Sequence, residues 1–282
     1  MSSIDGKRVL ITGAGSGFGR QLALACASRG CRVGLADIDE AGAAETLRLV
    51  RERGGDGGTY QVDVSDASQV ESMVDHFFDT FGGIDVAVNN AGVVVAGYVG
   101  DIPLDDWHWL AGVNLWGVVY GSHYLVRKMR EQGGGHIVNI ASAMGLLSFP
   151  DMAPYSVSKA AVISLSEILR VELAPHRVKV SVVCPMFFNT NLLSSLRYQD
   201  EFEREAAHLA FERSRVSAAE VAERTIRGIE RGKFYIVPML SGRIHWAAKR
   251  LSPSYYYWQF SLLHRLKIFR PLFKLMARLG LV

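Results

Sequence analysis

The chain has 282 residues, of which 49% are hydrophobic and 21% charged. Such a length and composition describe a folded chain with one large core and exclude a disordered one. The net charge is +3, but ten Lys and Arg and no Asp or Glu fall from Arg231 to Val282, so an acidic body precedes a strongly basic tail.

The sequence predicts alternating strands and helices. Residues 8–12 form an apolar run leading into a glycine loop, and 17–28 read as a helix. A second strand over 32–36 ends at Asp37, and a charged amphipathic helix spans 40–53. Strand 59–62 ends at Asp63, helix 67–81 stops at Gly82-Gly83, and strand 84–88 follows. One long helix is expected over 105–131, then strand 136–140, helix 153–174, strand 178–183, helix 218–231 and strand 234–237. Near-continuous apolar strands separated by helices imply an α/β protein: a doubly wound, mostly parallel sheet of about seven strands. Ligands bind such sheets at the carboxyl ends of the strands. We expect this sheet domain over 1–238, which the motifs below make the dinucleotide-binding and catalytic domain, and a basic, aromatic, amphipathic extension over 239–282. The run at 9–12 is too short for an export signal, and no stretch of about 20 uncharged apolar residues exists, so a cytoplasmic chain is expected. Three cysteines, Cys26, Cys31 and Cys184, fit a reducing compartment, and no Cys/His cluster has metal spacing.

The loop Thr12-Gly13-Ala14-Gly15-Ser16-Gly17-Phe18-Gly19 follows a strand and opens a helix. Glycines there permit a tight turn and close backbone approach to a pyrophosphate, and the helix N-terminus supplies free N–H groups. Asp37, eighteen positions after Gly19, can accept hydrogen bonds from ribose hydroxyls and would repel a 2′-phosphate. No Lys or Arg in the loop or directly after Asp37 offsets that repulsion. NAD is therefore expected rather than NADP.

This TGxxxGxG loop is followed by Asn89-Asn90-Ala91-Gly92, Asn114, Ser142 and Tyr155-Ser156-Val157-Ser158-Lys159. In that order the set resembles the short-chain dehydrogenase/reductase family over about residues 7–238, and the resemblance implies a Rossmann fold. It also implies a catalytic tetrad. Tyr155 moves the proton, and Lys159, one helical turn on, lowers the phenol pKa from its usual value near 10 and holds the nicotinamide ribose. Ser142 orients the substrate oxygen, and Asn114 anchors a water chain to Lys159. Gly13, Ser16, Gly17, Phe18, Gly19 and Asp37 are the expected cofactor contacts of the first half, with Asp63 and Val64 at the adenine. Asn90, Ala91 and Gly92 line the trough, while Asn89 holds the sheet. Tyr155, Lys159, Pro185 and Thr190 complete the cofactor set. Met186 stands where the family has glycine after Pro185, which puts the local backbone in question.

Residues 180–195 hold no Lys or Arg but contain Met186, Phe187, Phe188, Leu192 and Leu193; Leu146, Leu147, Phe149 and Met152 flank Ser142. An apolar pocket suits a hydrophobic secondary alcohol, ketone or long-chain primary alcohol, with a steroid- or lipid-like body. The competing reading is ordinary core and lid packing. In the tail, Leu262, Leu266, Phe269, Phe273 and Met276 share one helical spacing, beside a stripe of Lys267, Arg270, Lys274 and Arg278. Three readings compete for it: an anionic membrane surface, another subunit, or the chain's own pocket. Nucleic acid is not expected as a partner. The resemblance implies a homodimer or homotetramer through helices 107–130 and 155–174. An NADP-dependent carbonyl reductase is the alternative enzyme, and a non-catalytic nucleotide sensor on the same fold is the alternative outside enzymes.

Overall fold

The structure is a computed structural model, and it describes residues 3–280. The strands are β1 (Arg8–Thr12), β2 (Arg32–Asp37), β3 (Asp56–Gln61), β4 (Val86–Asn89), β5 (Gly135–Ile140), β6 (Val178–Val183) and β7 (Tyr235–Ile236). They form one seven-stranded sheet in the order β3-β2-β1-β4-β5-β6-β7. Every pairing is parallel, with Leu10 opposite Gly34 on one side and Ala87 on the other. The order reverses between β1 and β4, which opens the crevice in which ligands of doubly wound sheets bind. Alternate strand residues feed two cores. Leu10, Ala87 and Ile137 enter one, and Val9, Ile11, Val33 and Val138 the other.

The helices that cover the sheet are α1 (Gly17–Ala27), α2 (Glu40–Glu52), α3 (Ala67–Phe81), α4 (Leu104–Ala111), α5 (Gly117–Glu131), α6 (Ala143–Leu147), α7 (Ala153–Glu172), α8 (Glu201–Glu212) and α9 (Ala218–Glu230). Three departures from the sequence reading matter. The helix expected over 105–131 is broken, because Gly112–Trp116 between α4 and α5 forms a wider π turn. β3 begins at Asp56, where the glycines resemble a helix stop; a Cβ on Gly57 would overlap the carbonyl of Val33 on β2. Residues 201–212, given no element above, form α8 behind a capping box in which Asp200 and Glu203 bind each other's backbone N–H.

The tail forms three helices, α10 (Leu240–Leu251), α11 (Pro253–Arg265) and α12 (Phe269–Arg278). The single apolar face expected through Leu262, Leu266, Phe269, Phe273 and Met276 is divided. The break falls at Lys267, whose φ is +56°, and Pro271 sits in the first turn of α12, where its missing N–H costs nothing. Leu262 and Leu266 are exposed, whereas Phe269 is buried with its ring 5.8 Å from that of Phe149. The expected free basic stripe is partly spent internally. Arg270 pairs with Asp200 at 2.6 Å and lies 3.6 and 3.7 Å from Asp151 and Glu203, and Lys274 pairs with Glu205. Of the three readings, packing of α12 on the chain's own body is the one these contacts support.

Candidate active site

The glycine loop after β1 is stapled to the end of β4. Asn90 Nδ2 donates to the carbonyls of Thr12 and Gly13 at 2.9 and 3.1 Å. In return Thr12 Oγ1 accepts from the backbone of Asn90 and Ala91 at 3.0 and 3.2 Å. Gly13 has φ +65°, and a Cβ there would lie 2.8 Å from Ala91 Cα. Only glycine gives both the turn and that approach. Ser16 caps α1 without a side-chain hydrogen bond, which leaves the first-turn N–H groups open to an anion. Asp37 Oδ2 accepts from Gly15 N at 2.7 Å and Oδ1 from Asp39 N at 2.9 Å, so the carboxylate is fixed beside the loop. Asp63 is held in the same way by Ser65 N and Oγ at 2.9 and 2.7 Å. Asn89 donates to Asn139 Oδ1 at 2.8 Å and ties β4 to β5.

Ser142 lies two residues past the end of β5 and caps α6. Its Oγ accepts from Met144 N at 3.1 Å and donates to the carbonyl of Pro185 at 3.4 Å. Tyr155 and Lys159 lie one turn apart on α7, with exposures of only 8% and 3%. Lys159 Nζ donates to the carbonyl of Ile140 at 3.0 Å and lies 5.7 Å from the centre of the Tyr155 ring. Burial pushes the Tyr155 phenol up to about 12, partly opposed by its hydrogen bond with Ser142. Burial also draws Lys159 down to about 8. The sequence reading had Lys159 lowering the phenol; here burial raises it, and the opposing influence is the Ser142 hydrogen bond.

Asn114 sits in the π turn with no exposure and does not line the cavity. Its Oδ1 accepts from Val93 N at 2.8 Å, its Nδ2 donates to Val93 O at 2.9 Å, and it reaches Ser158 Oγ at 3.5 Å. Ser158 Oγ in turn donates to the carbonyl of Tyr155 at 2.8 Å. Asn114 therefore joins the chain after β4 to α7, on the side away from the cavity. A π turn serves this because it widens the helix at one residue.

All fifteen expected cofactor contacts, from Gly13 to Thr190, line one cavity of about 500 Å³, together with Ser142. Thr190 Oγ1 lies close against Gly17, whose φ is +49°. Met186 does not share the positive φ that a glycine would allow. Its N–H donates to Met239 Sδ at 3.2 Å, and its side chain packs toward Gly242, so the substitution leaves the turn unstrained. Met152, Met186, Phe187, Phe188 and Leu192 line the cavity as expected. Leu193 and Phe149 do not; they border a second cavity of about 50 Å³ under α8 and α12, with Phe202, Ala206, Ala210 and Phe273. The two cavities share Val94, Met152, Phe187 and Phe211. Leu146 and Leu147 border neither; their carbonyls accept from Lys249 Nζ and, at 3.0 Å, from Tyr257 OH in the tail. Trp109, Val113 and Phe211 also line the main cavity and were missed. The four-residue spacing of Trp109 and Val113 was a usable signal; Phe211 carried none without α8. Among the described residues no group of three or more His, Cys, Asp or Glu could hold a metal ion, and no helix is long and apolar enough to cross a membrane.

The family model described as short chain dehydrogenase matches residues 7–201. A Mycobacterium tuberculosis protein bearing an oxidoreductase name, SadH, is 34% identical over 260 residues, spanning 91% of this chain and 94% of its own length. An uncharacterized oxidoreductase of Thermotoga maritima is 40% identical over 183 residues, covering 65% of this chain and 72% of its own. A crystal structure of a short-chain dehydrogenase/reductase from Burkholderia phymatum in complex with NAD superposes with a TM-score of 0.82 at 35% identity. That match covers 89% of this chain and 95% of the other. The chain belongs to the short-chain dehydrogenase/reductase family, and it is an oxidoreductase of that family.

Proposed function

We propose that the chain is an NAD(H)-dependent dehydrogenase/reductase that transfers a hydride between nicotinamide and the carbinol or carbonyl carbon of an apolar alcohol or ketone. One observation carries the reading. The glycine loop, Asp37, Ser142, Tyr155 and Lys159 border a single cavity at the carboxyl ends of the strands. The residues present fit a dinucleotide: the turn at Gly13 admits no side chain, and the first turn of α1 keeps open N–H groups. The fixed Asp37 carboxylate favours ribose hydroxyls over a 2′-phosphate. The similar Burkholderia phymatum structure, solved with NAD, supports the same choice.

When bound, the dinucleotide supplies or takes the hydride at nicotinamide C4. Ser142 Oγ donates to the substrate oxygen and sets it beside the phenol of Tyr155. In reduction the phenol gives its proton to that oxygen as the oxygen gains charge. Lys159, anchored on Ile140, places its remaining N–H donors in the cavity, where they stabilise the phenolate that is left. Asn114 holds Val93 and α7 in register behind these groups.

Met152, Phe187 and Phe211 separate the main cavity from the apolar second one, which supports a substrate with an extended hydrophobic body. We also propose a homodimer or homotetramer through α5 and α7. Trp116, Val157, Ile168 and Val171 are 50%, 58%, 52% and 73% exposed on and beside these helices. Cofactor oxidation and reduction with apolar alcohols and ketones tests the activity. A chain that binds NADH but turns over none of them is a sensor instead, and one that prefers NADPH is the alternative reductase.

A further inference from the structure

Away from the catalytic cavity, α9, β7 and α10 enclose a cleft of about 380 Å³. Its walls carry Arg224, Arg227, Arg231, Lys233 and Arg243 and no carboxylate. Two of the cations are fixed in place. Arg224 donates to the carbonyl of Pro238 at 2.9 Å and pairs with Glu220, and Arg243 Nε donates to the carbonyl of Val237 at 2.7 Å. Arg227, Arg231 and Lys233 are exposed and form no ion pair among the described residues. The other acids of α9 are engaged elsewhere: Glu223 pairs with Arg29 at 2.7 Å, and Glu230 lies 3.9 Å from the same guanidinium. Five like charges around one hollow repel one another, and none borders the catalytic cavity.

An apolar ridge adjoins the cleft. Leu240, Arg243, Ile244, Ala247 and Leu251 recur along one face of α10. Leu240, Ile244 and Leu251 are 68%, 58% and 87% exposed. Leu240 and Arg243 also line an adjoining hollow with Arg224, Arg227 and Arg231, so ridge and cations meet. α11 then presents Tyr255 and Trp258, exposed and stacked with ring centres 5.7 Å apart.

We propose that this surface, formed by α9, the end of β7, and α10, docks the protein on a bilayer containing anionic phospholipid. The arginines and Lys233 meet lipid phosphates, and the Leu240–Ile244–Leu251 ridge enters the headgroup layer. Arginine forks suit phosphate oxygens, and an exposed apolar ridge beside them suits a surface that is both charged and oily. A second copy placed on the same patch by a two-fold axis would set these cations against their equals, which disfavours a symmetric subunit contact. The inference stands apart from the oxidoreductase reading, and its test needs no turnover.

The full chain is sedimented with vesicles of phosphatidylcholine alone and of phosphatidylcholine with phosphatidylglycerol. It is expected to pellet with the anionic vesicles, to be released by salt, and to bind neutral vesicles weakly. Combining Arg227→Glu, Arg231→Glu and Lys233→Glu should weaken anionic-vesicle binding by about 100-fold or more. Leu240→Ser with Ile244→Ser should weaken it while the charge is kept. All these residues are exposed, so an unchanged melting temperature verifies that each variant is folded. Equal binding by wild type and the charge variant overturns the proposal. Binding of inorganic phosphate or pyrophosphate in calorimetry, with no vesicle pelleting, replaces it with a soluble-anion site. Loss of an oligomer in the charge variant, again with no pelleting, replaces it with a subunit contact.

Discussion

Asn114 grips the backbone of Val93 with both ends of its amide, accepting from the N–H at 2.8 Å and donating to the carbonyl at 2.9 Å. The bonds join a π turn to the strand-end loop beside Ala91 and Gly92, and through Ser158 to the helix of Tyr155 and Lys159. Replacing Asn114 by Leu leaves a backbone donor and acceptor without their partner. The expected cost is about 2–4 kcal/mol of stability. Thermal unfolding checks the loss, and a variant as stable as wild type would show that the clamp contributes little.

Burial shifts both Tyr155 and Lys159, the pair proposed to be catalytic. Lys159 is drawn from 10.5 to about 8, so its charged form is disfavoured in the fold. Below about pH 8 both folded and unfolded chains carry the proton, and the fold bears the full cost, up to about 3 kcal/mol. Between pH 8 and 10.5 the unfolded chain binds more protons, and stability rises with pH on this account. Lys159→Met should therefore be inactive yet at least as stable as wild type at pH 7, with its advantage shrinking as pH approaches 10. Denaturant midpoints across that range measure the difference.

The proposed preference for NAD rests on Asp37. A surface charge contact at about 4 Å is worth about 1–4 kcal/mol, so removing the repulsion toward a 2′-phosphate changes preference about fivefold or more. Asp37→Asn should lower the ratio of kcat/KM for NAD over NADP by at least that factor. The neutral amide can still accept from Gly15 N, so the loop itself should persist.

The second cavity makes a prediction about substrate length. Ala210 lies in its wall with 1% exposure. Ala210→Phe fills that space. It should depress kcat/KM for long apolar alcohols by tenfold or more while leaving short ones nearly unchanged, since one lost methylene contact is worth about 1–3 kcal/mol. A uniform loss over chain lengths would instead mean that the helix had shifted.

What was legible in the sequence was local. The turn at Gly13, the carboxylate at Asp37 and the one-turn spacing of Tyr155 and Lys159 are short-range patterns whose geometry the backbone imposes. The sheet followed from apolar runs because parallel strands are buried on both faces. The π turn was hidden because Gly112 and Asn114, though weak helix formers, do not distinguish a π turn from a helix; it shows only in the backbone, where Gly117 N–H bonds the carbonyl of Gly112. The position of α12 was hidden as well, since Arg270 finds Asp200 and Asp151 only in space. The helix α8 was readable, because Asp200 and Glu203 have the spacing of a capping box.

The most direct test of the central claim is NADH formation from alcohols graded from short and polar to long and apolar, measured for wild type and Tyr155→Phe. The account predicts turnover that rises with apolarity, favours NAD over NADP and falls by about 10²–10⁴-fold in the variant. Turnover unchanged in Tyr155→Phe, or activity confined to small charged substrates, would contradict it.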